Sequence, residues 1–115
     1  MDIMYKKLIF VINTLIMITK NDILKFLRSN KKFFKQKYNI NKIGIFGSIA
    51  RDEQNENSDI DIILEFDEAT TDLFGKKLEL KDFFKTKFNC EVDICREGAI
   101  KPVFKNLILK DAIFV

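Results

Sequence analysis

Asp59 and Asp61 stand two residues apart in SDIDIILEF, a run whose apolar alternation predicts a β-strand over 59–66. Residues two apart on a strand share a face, with Cα atoms about 6.8 Å apart, so both carboxylates aim at one region. Two like charges so placed raise each other's pKa unless a cation lies between them. Oxygen donors without nitrogen partners suit magnesium, which keeps several waters and takes further ligands from substrate phosphates. Asp93, on the corresponding face of a strand predicted at 91–95, is the candidate third acid. Three carboxylates in one pocket would hold two magnesium ions about 3.5–4 Å apart, which stabilise the entering and leaving oxygens of an in-line displacement at phosphorus.

Separated from Asp59 by ten residues is a second feature, Gly47-Ser48, at the end of the apolar run IGIF. Glycine lets backbone approach a ligand closely, and a helical turn starting at Ser48 presents unpaired N–H groups to phosphate. The Ser48 hydroxyl adds a donor, and Arg51, one turn on, is placed to bond phosphate oxygens or to orient the acids. Separately these are ordinary features: Gly-Ser after a strand is a turn, and Ser-Asp-x-Asp is a capped strand start. Together, with strands on both sides and an acid downstream, they describe a nucleotidyl-transfer site. Its metal-binding residues are Asp59, Asp61 and Asp93, of which Asp59 and Asp61 are the catalytic pair. Gly47, Ser48 and Arg51 are its nucleotide-binding residues. Glu65 and Glu91 share the acidic face and lie at its edge.

The elements that must position these residues follow from periodicity. Ile23, Leu27, Phe34 and Tyr38 recur at helical spacing and predict one helix over 21–38, with a solvated face of Lys and Arg. A buried strand follows at 42–46, then a helical turn at 48–51 and a wholly polar surface loop at 52–58. Asp72 caps a helix reaching to about 88, within which Gly75 costs about 1 kcal/mol relative to Ala. Pro102 opens a short helix to about 107, and 112–115 reads as a terminal strand. The result is an α/β (α+β) domain, a small mixed β-sheet flanked by helices.

Composition sets the outer limits. The chain of 115 residues fits one domain, and a formal charge of +3 is too small to argue a nucleic-acid footprint. It contains no histidine, which removes imidazole acid-base catalysis and His-ligated zinc. Cys90 and Cys95 match neither a zinc knuckle nor a redox motif and read as reduced thiols of a cytoplasmic protein. Residues 1–18 form an apolar N-terminal extension to the domain at 19–115. Its apolar run, from Leu8 to Ile18, is short for a membrane span and lacks a small-residue cleavage site. A natural start at Met17 is the preferred reading, ahead of an extra apolar element or a signal or anchor.

Gly47-Ser48, ten residues, then Asp59-Ile60-Asp61 resembles the signature of the DNA polymerase beta nucleotidyltransferase superfamily. The chain is similar to its minimal branch, the MNT proteins, from about Met17 to Val115, through the phrases SDIDIILEFDE, EVDIC and GAIKPVFKNLILKDAIFV. The resemblance implies a polymerase-beta-like nucleotidyltransferase fold, ATP as donor and two Mg2+ ions. It matches Asp59 and Asp61 to the metal-binding pair, Asp93 to the third carboxylate, and Gly47 and Ser48 to the phosphate turn. It further implies an antitoxin that adenylylates a tyrosine of a cognate HEPN-type toxin, with diphosphate released. Asp52 departs from the pattern, since relatives more often carry glycine after Ala-Arg.

Two other functions compete: a non-catalytic antitoxin acting by occlusion, and nucleotidyl transfer to a small molecule such as an aminoglycoside. Template-directed synthesis on DNA or RNA is not expected, because the chain has no room for further polymerase domains. No membrane association is expected either.

Overall fold

The computed structural model describes residues 18–55 and 57–115. Helix α1 (Lys20–Ser29) starts at Thr19, whose Oγ1 accepts from the Asp22 N–H at 3.1 Å while the Asp22 carboxylate accepts from the Thr19 N–H at 3.0 Å. This reciprocal cap satisfies two otherwise orphaned donors. The single helix expected over 21–38 is in fact two. The Asn30 side-chain amide donates to the Phe26 carbonyl at 2.8 Å, competing with the backbone ladder, and the chain restarts as α2 (Lys31–Tyr38). Asn39 ends α2 in the left-handed region, at φ 60°.

The remaining elements are β1 (Ile40–Phe46), the short turn α3 (Gly47–Ala50), β2 (Ile60–Phe66), α4 (Leu73–Phe88), β3 (Val92–Arg96), a 3-10 turn (Glu97–Ala99), α5 (Pro102–Asp111) and β4 (Ile113–Phe114). Strand β1 begins earlier than expected because its register shifts between Ile40 and Lys42, which returns Ile40 to the core. Helix α5 continues one turn past its expected end and stops only where β4 begins. Gly75 in α4 has a local reason: its N–H bonds the capping Asp72 carboxylate, which fills the space a side chain would need.

The sheet order is β3-β2-β1-β4, with β1 antiparallel to both β2 and β4, and β2 parallel to β3. Parallel neighbours need a crossover, and α4 supplies it. One face carries Ile43, Ile45, Ile60, Ile62, Leu64, Val92 and Ile94, all buried in one core with Ile23, Leu27, Phe34, Leu80 and Phe84 from α1, α2 and α4. Rings of Phe26, Phe34, Phe83 and Phe84 meet at centroid distances of 5.4–6.4 Å, mostly edge-to-face or tilted. Phenylalanine supplies the bulk of this helical layer.

Cross-strand partners share a face, so Phe46, Asp61 and Asp93 lie on the opposite side, as do Gly44, Ile63 and Cys95. At Gly44 the β4 backbone comes so close that a Cβ would strike the Ile113 carbonyl. Glu65, on this face, accepts from Arg96 Nε at 3.1 Å and from the Gly98 N–H at 2.8 Å. Burial pushes its carboxyl up, but the Phe66 and Gly98 N–H groups and Arg96 outweigh it and hold the pKa below the ordinary value. Glu65 is therefore a brace for the turn after β3.

Ile18 packs against the core. The rest of the apolar extension, including the alternative start at Met17, lies outside the described residues. Among the described residues, no helix is long and apolar enough to cross a membrane.

Candidate active site

Asp61 occupies the second position of β2, between Phe46 on β1 and Asp93 on β3 in the sheet register. The expected strand over 59–66 begins at Ile60, so Asp59 is the last residue of the preceding loop. The Ile60 N–H bonds the Glu91 carbonyl at 2.9 Å, which fixes where that loop meets the sheet. Asp59 and Asp93 are exposed and Asp61 is half-buried.

These surroundings act on Asp61 together. Burial, then the charge of Asp93, then that of Asp59, push its carboxyl up to about 6, with Arg51 pulling weakly the other way. A carboxylate so disfavoured in its charged form is relieved by a cation, and the local donors are hard oxygens, the set a magnesium ion takes. Among the described residues no three acidic or thiol side chains are drawn around a single point. The backbone sets Asp61 and Asp93 side by side in the sheet register. Their donor type suits a hard divalent ion, with Asp61 and its register partner Asp93 as the nearest pair.

The turn after β1 is built against these acids. Gly47 has φ +71°, a conformation that side chains rarely adopt, and a Cβ there would run into the Asp61 carboxylate. Ile49 and Ala50 anchor α3 in the core. The Arg51 N–H bonds the Gly47 carbonyl at 3.2 Å and the Glu53 N–H the Ser48 carbonyl at 2.9 Å, which closes the turn. Ser48, second in α3, is half-buried.

Asp52 follows with φ +58°, the left-handed conformation that glycine adopts most readily. Its charge beside the turn is met by Lys20 at the start of α1, whose Nζ lies 2.8 Å from its carboxylate. Arg51 is held by two acids. Its Nε bonds Glu53 at 2.9 Å and its Nη1 bonds Asp111, the last residue of α5, at 3.3 Å. Glu53 and Asp111 were not legible as site residues. Glu53 reads as loop charge, and Asp111 is sixty residues from Arg51 with no local motif around it.

A profile described as a nucleotidyltransferase domain matches residues 27–115. The chain belongs to the nucleotidyltransferase domain family. A relative from Methanocaldococcus jannaschii, named "Putative protein adenylyltransferase MJ0128", is 45% identical over 98 residues, spanning 84% of this nucleotidyltransferase and 98% of the relative. Among solved structures, a toxin-antitoxin crystal structure with AMP-PNP matches at TM-score 0.60 with 23% identity, covering 84% of this chain and 72% of that one. A complex of tri-AMPylated Shewanella oneidensis HEPN toxin with MNT antitoxin matches at TM-score 0.52 with 20% identity, covering 83% and 66%. At such identities the two structures speak for the fold, the expected mixed sheet with flanking helices.

Proposed function

We propose that this nucleotidyltransferase is an antitoxin that transfers AMP from ATP to a tyrosine hydroxyl of a HEPN-type toxin in the cytoplasm, with magnesium as its metal. The observation that carries the reading is the placement of Asp61, charged only at a cost beside Asp93 and directly beneath the Gly47 turn. A phosphate held by that turn lies next to the carboxylates. The name of the Methanocaldococcus relative and the AMPylated HEPN toxin of the Shewanella complex support a protein acceptor, and the AMP-PNP complex supports ATP as donor.

In the reaction, the acceptor oxygen bonds to the α-phosphorus of ATP, the bond from that phosphorus to the bridging oxygen breaks, diphosphate leaves, and the hydroxyl proton passes to solvent. Gly47 and Ser48 bind the phosphates through backbone N–H groups and the Ser48 hydroxyl, and Arg51 adds positive charge at the rim. Asp59, Asp61 and Asp93 would hold magnesium. Magnesium, when bound, offsets the charge that develops on the entering and leaving oxygens.

A surface observation favours a protein acceptor over an aminoglycoside. Helix α5 buries none of its residues fully and exposes Val103 (79%), Phe104 (50%) and Leu107 (69%), and it packs beside α3, which carries the phosphate turn. An exposed apolar face of this kind suits a macromolecular partner. It also suits the non-catalytic alternative, neutralisation by occlusion.

The deciding experiment incubates the purified protein with labelled ATP, magnesium and a HEPN-type toxin. Labelled partner is expected, with label lost in Asp59→Ala plus Asp61→Ala. Full neutralisation by that double variant without labelling would favour occlusion.

A further inference from the structure

We infer that Asp111 is a positioning residue for the donor site, fixing the guanidinium of Arg51, the residue that follows the Gly47–Ala50 turn. The inference rests on the donor-site reading above. Arg51 follows α3 by one residue and leaves the turn with its side chain exposed, so nothing in its own element fixes a long, rotamer-rich group. Two carboxylates do so: Glu53, two residues on, bonds Nε, and Asp111 bonds Nη1. These bonds engage two of the five guanidinium N–H donors. The backbone N–H of Arg51 bonds the Gly47 carbonyl at 3.2 Å, which ties Arg51 to the turn.

Asp111 is itself tied to the strand that ends in the turn. Immediately after it the chain enters β4, where Ile113 pairs with Ile45 and Phe114 with Gly44, and the Val115 N–H bonds the Ile43 carbonyl at 3.0 Å. The strand that delivers Gly47 and the segment that carries the Asp111 carboxylate are therefore joined through the sheet. Exposed ion pairs add little to stability, so the consequence of this one is geometric. Held by two acids, the guanidinium meets an incoming phosphate already ordered.

The test uses isothermal titration of AMP-PNP with magnesium into the full-length protein. Charge alone and positioning predict opposite signs for Asp111→Asn. Removing a negative group near phosphates would tighten binding by simple electrostatics, whereas losing the brace weakens it. We expect Asp111→Asn to bind about three- to tenfold more weakly. Asp111→Glu should recover part of the loss, and adding Asp111→Asn to Arg51→Gln should cause no further loss. Unchanged melting temperatures would show that the variants fold. Unchanged or tighter binding in Asp111→Asn, or losses that multiply in the double variant, would overturn the assignment while leaving the donor site standing. Absence of AMP-PNP binding by the unaltered protein would sink the donor-site reading itself.

Discussion

Asp61 and Asp93 are register partners on adjacent parallel strands, so two acids thirty-two residues apart in sequence stand side by side on one face of the sheet. The arrangement opposes folding in the absence of a cation, because ionising Asp61 there requires charge to be gathered in a half-buried place. It follows that this pair of acids costs stability, and the cost is measurable.

Stability of the metal-free protein should fall as pH rises from about 4 to about 6. The folded protein holds the Asp61 proton up to about 6, whereas the unfolded chain releases it near 3.8, so the folded state binds more protons across that window. Asp61→Asn should flatten this part of the profile. Discounted for solvent screening, the variant should be about 1 kcal/mol more stable than the unaltered protein at pH 7.5 in chelator. Urea denaturation at pH 4, 6 and 7.5 checks both statements.

Magnesium should reverse that order. A ligand that binds only the folded state stabilises it by mass action, so millimolar magnesium at pH 7.5 should raise the melting temperature of the unaltered protein and leave Asp61→Asn unmoved. Equal shifts in both would remove Asp61 from the metal site.

Gly47→Ala should abolish nucleotide binding and destabilise the fold by about 1–2 kcal/mol. The new Cβ meets the Asp61 carboxylate, and φ +71° is strained for any L side chain. Titration with AMP-PNP and urea denaturation separate the two effects.

Asp52→Gly sets two small effects against each other. Relief of the left-handed backbone is worth about 1 kcal/mol, while the exposed Lys20 pair contributes about 0–1 kcal/mol. Urea denaturation should show a change of no more than about 1 kcal/mol, and nucleotide binding should persist. A large loss of either would give Asp52 a functional role.

Val103→Glu plus Leu107→Glu on α5 should leave AMP-PNP affinity within about twofold, since neither side chain packs in the core. Transfer of AMP to a protein acceptor should fall by at least about tenfold, the loss expected when a docking contact is removed. Labelled-ATP assays read the second effect and calorimetry the first.

What the sequence determined by itself was local and repetitive. Alternation fixed which residues of 59–66 face the core, Asp72 announced α4, and Gly47-Ser48 with Asp59 and Asp61 marked the candidate donor site, because spacing along one strand or turn is a property of the chain alone. Cases where side chain and backbone compete were not decided in this way. The helix expected over 21–38 breaks where the Asn30 amide takes the Phe26 carbonyl, a contest that periodicity does not register. Only tertiary structure decided which acids meet. Pairing between β2 and β3 sets Asp93 beside Asp61, and pairing of β4 with β1 carries Asp111 back to Arg51. Both depend on strand order and register, which arise from packing the whole sheet against α1, α2 and α4 and which no short stretch contains.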